Sequence, residues 1–182
     1  ASRFDNASLI TLKYMGKYYG LPETLSFEMM FYRTDILSDL GIEAPKTWDE
    51  LIKISSVLSN NNMSVGIPST ANTYITMLLQ SGNEIYGDSG MYTLFDTVGA
   101  INVFAEFTNF YVNYGFPLSF EFQNRFRSGE MPIGVASYEM YNTLQIAAPE
   151  INGLWKMAPI PGTLRENGEF NNTALATVAA VM

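Results

Sequence analysis

Apolar residues along this chain change spacing several times, and the changes mark its elements. Phe27 to Tyr32 is apolar apart from Glu28, the pattern of a strand covered on both faces. Just before it, Lys17 to Pro22 predicts a separate strand, with paired tyrosines ahead of Gly20 and Pro22. Asp35 to Leu40 predicts a short helix stopped by Gly41. Pro45 bars its continuation, and Thr47 with Glu50 forms a capping box for the next helix. Trp48, Leu51, Ile54 and Leu58 then share one helical face, so that helix should pack on a sheet.

The alternation continues to the end of the chain. Helices are predicted over Tyr74–Gln80, about Thr97–Tyr114, Glu121–Arg127 and about Tyr138–Ala148. Strands are predicted over Val65–Pro68, Met131–Ala136, Trp155–Pro159 and Ala174–Val181. Residues 4–16 suit a short amphipathic helix or a loop. In the longest helix Asn102, Glu106, Asn109 and Asn113 make a narrow polar stripe, so the rest of its surface is expected to be buried. Strands alternating with helices predict an α/β fold with a mostly parallel sheet flanked by helices.

Composition narrows the chemistry. With 182 residues, 47% of them hydrophobic, the chain can bury one sizeable core. Aromatics make up 14%, which suits a polar-ligand site and a Phe/Tyr-rich core equally. A net charge of −8 argues against nucleic acid or an anionic membrane as partner. Cysteine and histidine are both absent, which removes disulfides, thiol chemistry and the commonest general base and zinc ligand. No cofactor or metal is expected, and an enzyme would have to work through carboxylates, lysine or tyrosine. The chain begins ASRFDN without an initiator methionine and ends on the apolar run ALATVAAVM, which predicts a piece of a longer protein.

Four segments carry a resemblance. They are GKYYGLP with the strand FEMMFYRTDIL, Pro-x-Thr-Trp-Asp-Glu-Leu at 45–51, RFRSGEMPIGVASYEMY at 125–141, and WKMAPIPG at 155–162. In this order and spacing the chain resembles the extracellular solute-binding proteins of ABC importers, in the carbohydrate-binding branch that includes maltose-binding protein. It departs from that pattern where the family's Gly-Ser-Trp stands as Ala136-Ser137-Tyr138. The resemblance implies a periplasmic-binding-protein type II-like lobe. Residues 1–25 would be a first-lobe remnant and hinge, 26–157 the second lobe, and 158–182 a hinge and first-lobe strand remnant. The two hinge crossings would lie near Pro22–Phe27 and Ala158–Pro161.

Sugars present apolar C–H faces and rings of hydroxyls, so a site for them needs flat aromatics beside polar acceptors. Tyr138 lies where a strand gives way to a helix, Ser137 would cap that helix, and Glu139 could accept hydroxyls. Asn72, Thr73 and Tyr74 follow the strand ending at Pro68, at the equivalent sheet edge. Glu23 and Ser26 flank the first crossing, and Asn172 precedes the last strand. Each also suits a purely structural role, and Trp155 is read as core. The resemblance further implies a small-molecule solute such as a carbohydrate, ABC permease subunits as partners and a monomeric full-length protein. It places the protein at the outer face of the cytoplasmic membrane through a lipid anchor, or in the periplasm. The alternatives are a polyamine, peptide or organic-acid binder, or a glycosidase using two carboxylates such as Glu23, Glu28, Glu121 or Glu139.

Overall fold

The structure, a computed structural model, describes residues 4, 6–88 and 90–181. The chain opens with α1 (Asn6–Ile10) and a small hairpin, β1 (Lys13–Tyr14) and β2 (Lys17–Tyr18). Then comes the longest strand, β3 (Leu21–Arg33), followed by α2 (Thr34–Asp39), α3 (Trp48–Asn60), β4 (Val65–Gly66), α4 (Ala71–Gln80) and α5 (Val98–Val112). The remainder is α6 (Phe122–Ser128), β5 (Ile133–Ser137), α7 (Met140–Ala147), a 3-10 turn at Pro149–Ile151, β6 (Trp155–Ala158), β7 (Thr163–Leu164), β8 (Phe170–Asn171) and β9 (Ala176–Val181).

The α/β architecture is the expected one, but two features of the sheet differ. The strand expected at 17–22 splits, with Lys17–Tyr18 forming β2 and Leu21–Pro22 joining the strand expected at 27–32, because β3 runs unbroken through Pro22–Phe27. Along Leu21–Phe27 it pairs with β9, with a register shift at Glu23 between Pro22 and Thr24. From Glu28 onward it pairs instead with β5 on one side, and from Met30 with β6 on the other. All three pairings are antiparallel, and among the strand pairs of the described residues only β4 with β5 is parallel. The expectation of a mostly parallel sheet is therefore corrected. The α/β alternation in the sequence sets the order of elements, whereas β3 enters the sheet against the direction of β5 and β6.

Alternation along β3 feeds two cores. Met30 packs with residues of α3, α4 and α5 on one face, and Phe31 packs with Phe122, Phe126, Leu144 and Trp155 on the other. Phe31 is fully buried, and burial of such a side chain stabilises by about 2–3 kcal/mol. Trp155 lies in this second core, as expected. Local signals are realised closely: Thr47 and Glu50 form the reciprocal capping box, and Gly129 ends α6 in the left-handed conformation, φ 85°. The longest helix is less covered than its pattern implied. Val98, Ile101, Phe104 and Val112 are exposed, since α5 buries only the face carrying Ala100, Val103, Phe107 and Phe110.

The passage after β6 is also packed. Ile160 joins the first core, Gly162 N donates to the Lys46 carbonyl at 2.8 Å, and Trp48 N donates to the Gly162 carbonyl at 3.1 Å. A β-carbon at Gly162 would sit 2.6 Å from the Asn171 carbonyl, so only glycine lets the β7–β8 hairpin close this tightly.

Candidate functional site

β4 is parallel to β5, and β5 and β6 both run antiparallel to β3. The carboxyl ends of β4, β5 and β6 therefore emerge at one sheet edge, beside the point where β3 enters. Open α/β sheets bind ligands at such an edge.

The residues there are set by strand register. Ser137, the last residue of β5, lies opposite Glu28, and Tyr138 N donates to the Phe27 carbonyl at 2.9 Å, extending the ladder one step. That bond holds the Tyr138 ring over Phe27, with centroids 5.2 Å apart and planes 22° from parallel. On its other side Tyr138 is nearly parallel to Tyr141, 6° between planes at 6.3 Å, and Tyr141 meets Trp155 edge-on at 5.7 Å. The file of rings thus runs from an exposed end at Tyr138 down to the buried Trp155.

Beside the rings lies an acceptor. Hydroxyls of Ser137 and Ser26 hydrogen-bond the Glu139 carboxylate, with the Ser26 contact at 3.3 Å, and together with a backbone bond they lower its pKa below the usual carboxylate range. Ser137 does not cap α7, as the sequence suggested. The helix starts later, at Met140, after Glu139 has already adopted helical angles, and the Ser137 hydroxyl turns to Glu139.

Glu28 is half-buried, and burial raises its pKa. Among the described residues no hydrogen bond reaches its carboxylate. It influences Tyr111, whose pKa is raised first by burial and then by Glu28, while the Tyr111 hydroxyl donates to the Ile67 carbonyl at 3.2 Å.

The other expected residues are placed differently. Asn72 is exposed in the first turn of α4, near the same edge. Thr73 is buried and its hydroxyl donates to the Pro68 carbonyl at 2.8 Å. Tyr74 turns toward α5: its hydroxyl donates to the Ala100 carbonyl, and its ring packs on Phe95, Phe104 and Phe107. Helix α4 begins three residues earlier than Tyr74, capped by Thr70, and this rotates Tyr74 away from the edge. Glu23 is exposed at the irregularity in β3, and Asn172 is half-buried between β8 and β9; among the described residues no hydrogen bond joins either to the Ser26–Glu139 pair. The structure adds Phe27 to the group. Its sequence signal was the apolar run itself, which does not reveal which ring will lie across the neighbouring strand.

Among the described residues no group of acidic side chains is arranged to hold a metal ion, and no helix is long and apolar enough to cross a membrane.

Residues 3–181 match the bacterial extracellular solute-binding protein family. The chain belongs to that family. An arabinooligosaccharide-binding protein of Halalkalibacterium halodurans is 28% identical over 93 residues, covering 48% of this chain and 21% of that protein. The maltose-bound MalE3 of T. maritima superimposes with a TM-score of 0.76 at 18% identity, over 97% of this chain and 47% of its own. The sugar-binding protein MalE of Xanthomonas citri gives a TM-score of 0.74 at 21% identity, over 95% of this chain and 45% of its own. The fold is therefore that of these solute-binding proteins. This family member spans less than half the length of each of these relatives.

Proposed function

We propose that this chain supplies one wall of a sugar-binding cleft in a two-lobed solute-binding protein that delivers its ligand to an ABC permease outside the cytoplasmic membrane. The observation that carries this is the exposed ring of Tyr138, backed by Phe27 and Tyr141, beside the ionised Glu139. A sugar ring would lay its C–H face on the tyrosine and donate hydroxyls to the carboxylate. A ligand touching both lobes would favour the closed arrangement by that difference in contact. The names of the arabinooligosaccharide- and maltose-bound relatives support a carbohydrate.

Serine donors lower the Glu139 pKa, which suits an ionised acceptor of sugar hydroxyls and not a general acid; the carboxylate with a raised pKa at this edge is Glu28.

The test is a ¹H–¹⁵N titration of the chain with maltose, an arabino-oligosaccharide, spermidine and an oligopeptide. Sugar should move the amides of Ser26–Phe27 and Ser137–Tyr141, with weak affinity because one wall supplies part of the contacts. Shifts at these positions from spermidine or peptide alone, or none from any sugar, would overturn the proposal.

A further inference from the structure

Gln80 closes α4 with no exposed surface and every polar side-chain atom engaged. Trp48 Nε1 donates to its Oε1 at 2.7 Å, and the Thr163 hydroxyl donates to the same oxygen at 3.4 Å. Its Nε2 donates to two carbonyls, Pro161 and Thr173, each at 3.2 Å. A glutamine amide offers two donor hydrogens and an oxygen with two lone pairs, so its capacity is filled. The backbone adds to the attachment: Arg165 Nε donates to the Gln80 carbonyl at 2.8 Å, and Arg165 Nη2 to the Leu79 carbonyl at 3.2 Å.

The two carbonyls matter because of where they lie. Pro161 leads into β7 and Thr173 leaves β8, so the amide pinches the base of the β7–β8 hairpin and ties it to α4. An apolar residue could fill this space in a core. It could not donate to two carbonyls from opposite ends of a hairpin, the Pro161 one buried and the Thr173 one part-buried.

We propose that Gln80 is a positioning residue for the second interlobe connection. It holds 161–173 against this lobe, leaving only Ala174 and Leu175 between the hairpin and β9. This rests on the two-lobe reading above. Ala176, the first residue of β9, pairs with Phe27, and β3 changes partners between Phe27 and Glu28. On this reading the two connections cross side by side in a narrow waist. A short second connection beside an unbroken first strand permits bending and restricts swivelling.

The experiment uses this chain without sugar, so its result is independent of the ligand assignment. The two tryptophans supply separate indole signals. Trp48 reports on Gln80, while Trp155 Nε1 is buried without a hydrogen-bond partner among the described residues and serves as reference. Gln80→Leu should shift the Trp48 indole resonance and accelerate tryptic cleavage after Arg165 about tenfold. Hydrogen exchange should quicken across 161–175 and stay unchanged in β5, with the Trp155 indole unmoved. Trp48→Phe, which leaves the amide on both carbonyls, should keep the parent cleavage rate.

If Gln80→Leu does not fold, Gln80→Met provides the same test. Its flexible side chain fills a similar volume and carries no donor for Pro161 or Thr173, so cleavage must accelerate. Unchanged cleavage in the folded variant, or exchange that quickens equally in β5 and the hairpin, would overturn the proposal.

Discussion

Tyr138 lies across Phe27 with ring centroids 5.2 Å apart, although the two residues belong to segments far apart in the chain. The contact follows from β-ladder register: the Tyr138 amide bonds the Phe27 carbonyl, so the ring must project beside the last paired residues. Tyr138 nevertheless remains 42% exposed, so its outer part is open to a ligand.

Tyr138→Ala is expected to weaken sugar binding about five- to tenfold, the loss of roughly 1 kcal/mol of ring contact. Tyr138→Phe should retain most of the affinity. Amide titration of each variant with maltose measures the difference, and equal affinities for parent and Tyr138→Ala would remove this ring from the site.

Glu139 should remain ionised to unusually low pH, because Ser137 and Ser26 donate to it. If it accepts sugar hydroxyls, affinity should hold as pH falls through the ordinary carboxylate range and decline only below it. Glu139→Gln should lack that late decline. Titrations at a series of pH values compare the two profiles.

Glu28 shifts the other way. Its folded-state pKa is raised by burial, so the folded chain holds this proton more tightly than the unfolded chain. Its effect on stability is most favourable below the ordinary carboxylate pKa and is lost as pH rises from there through the folded value. Glu28→Gln should therefore melt at a higher temperature than the parent at neutral pH, with the gap closing in acid. Thermal unfolding across pH tests this, and a variant less stable at neutral pH would contradict it.

Arg33 and Asp35 form the most buried of the ion pairs among the described residues. Arg33 donates to both Asp35 oxygens, at 2.9 and 2.6 Å, and to the Phe126 and Arg127 carbonyls. The Arg33 hydrogen bonds are the main reason the Asp35 pKa is lowered, so this stabilisation is present above the unfolded pKa and lost as pH falls through the folded one. Asp35→Asn leaves a buried guanidinium short of its counter-charge and should cost about 2–3 kcal/mol. Urea unfolding at neutral pH gives the value.

Much of this fold can be read from local signals, for a definite reason. The capping box at Thr47, the stop at Gly41 and the two-sided apolar pattern around Phe31 each depend on neighbours close in sequence. The exposed apolar face of α5 could not be read this way. Periodicity reports which residues share a face, and Ile101 and Phe104 are as apolar as Val103 and Phe107, whatever covers them.

The candidate site divides in the same manner. The step from strand to helix at Ser137–Glu139, and its aromatic and acidic character, were determined by the sequence alone, because a strand end and its following residues are consecutive. Only the tertiary structure decided that Phe27 backs Tyr138, that Ser26 reaches Glu139, and that Tyr74 turns away to α5. Those outcomes depend on strand direction and register, and on where α4 begins. A one-residue change in strand register reverses every side chain, and an early helix start rotates each later one.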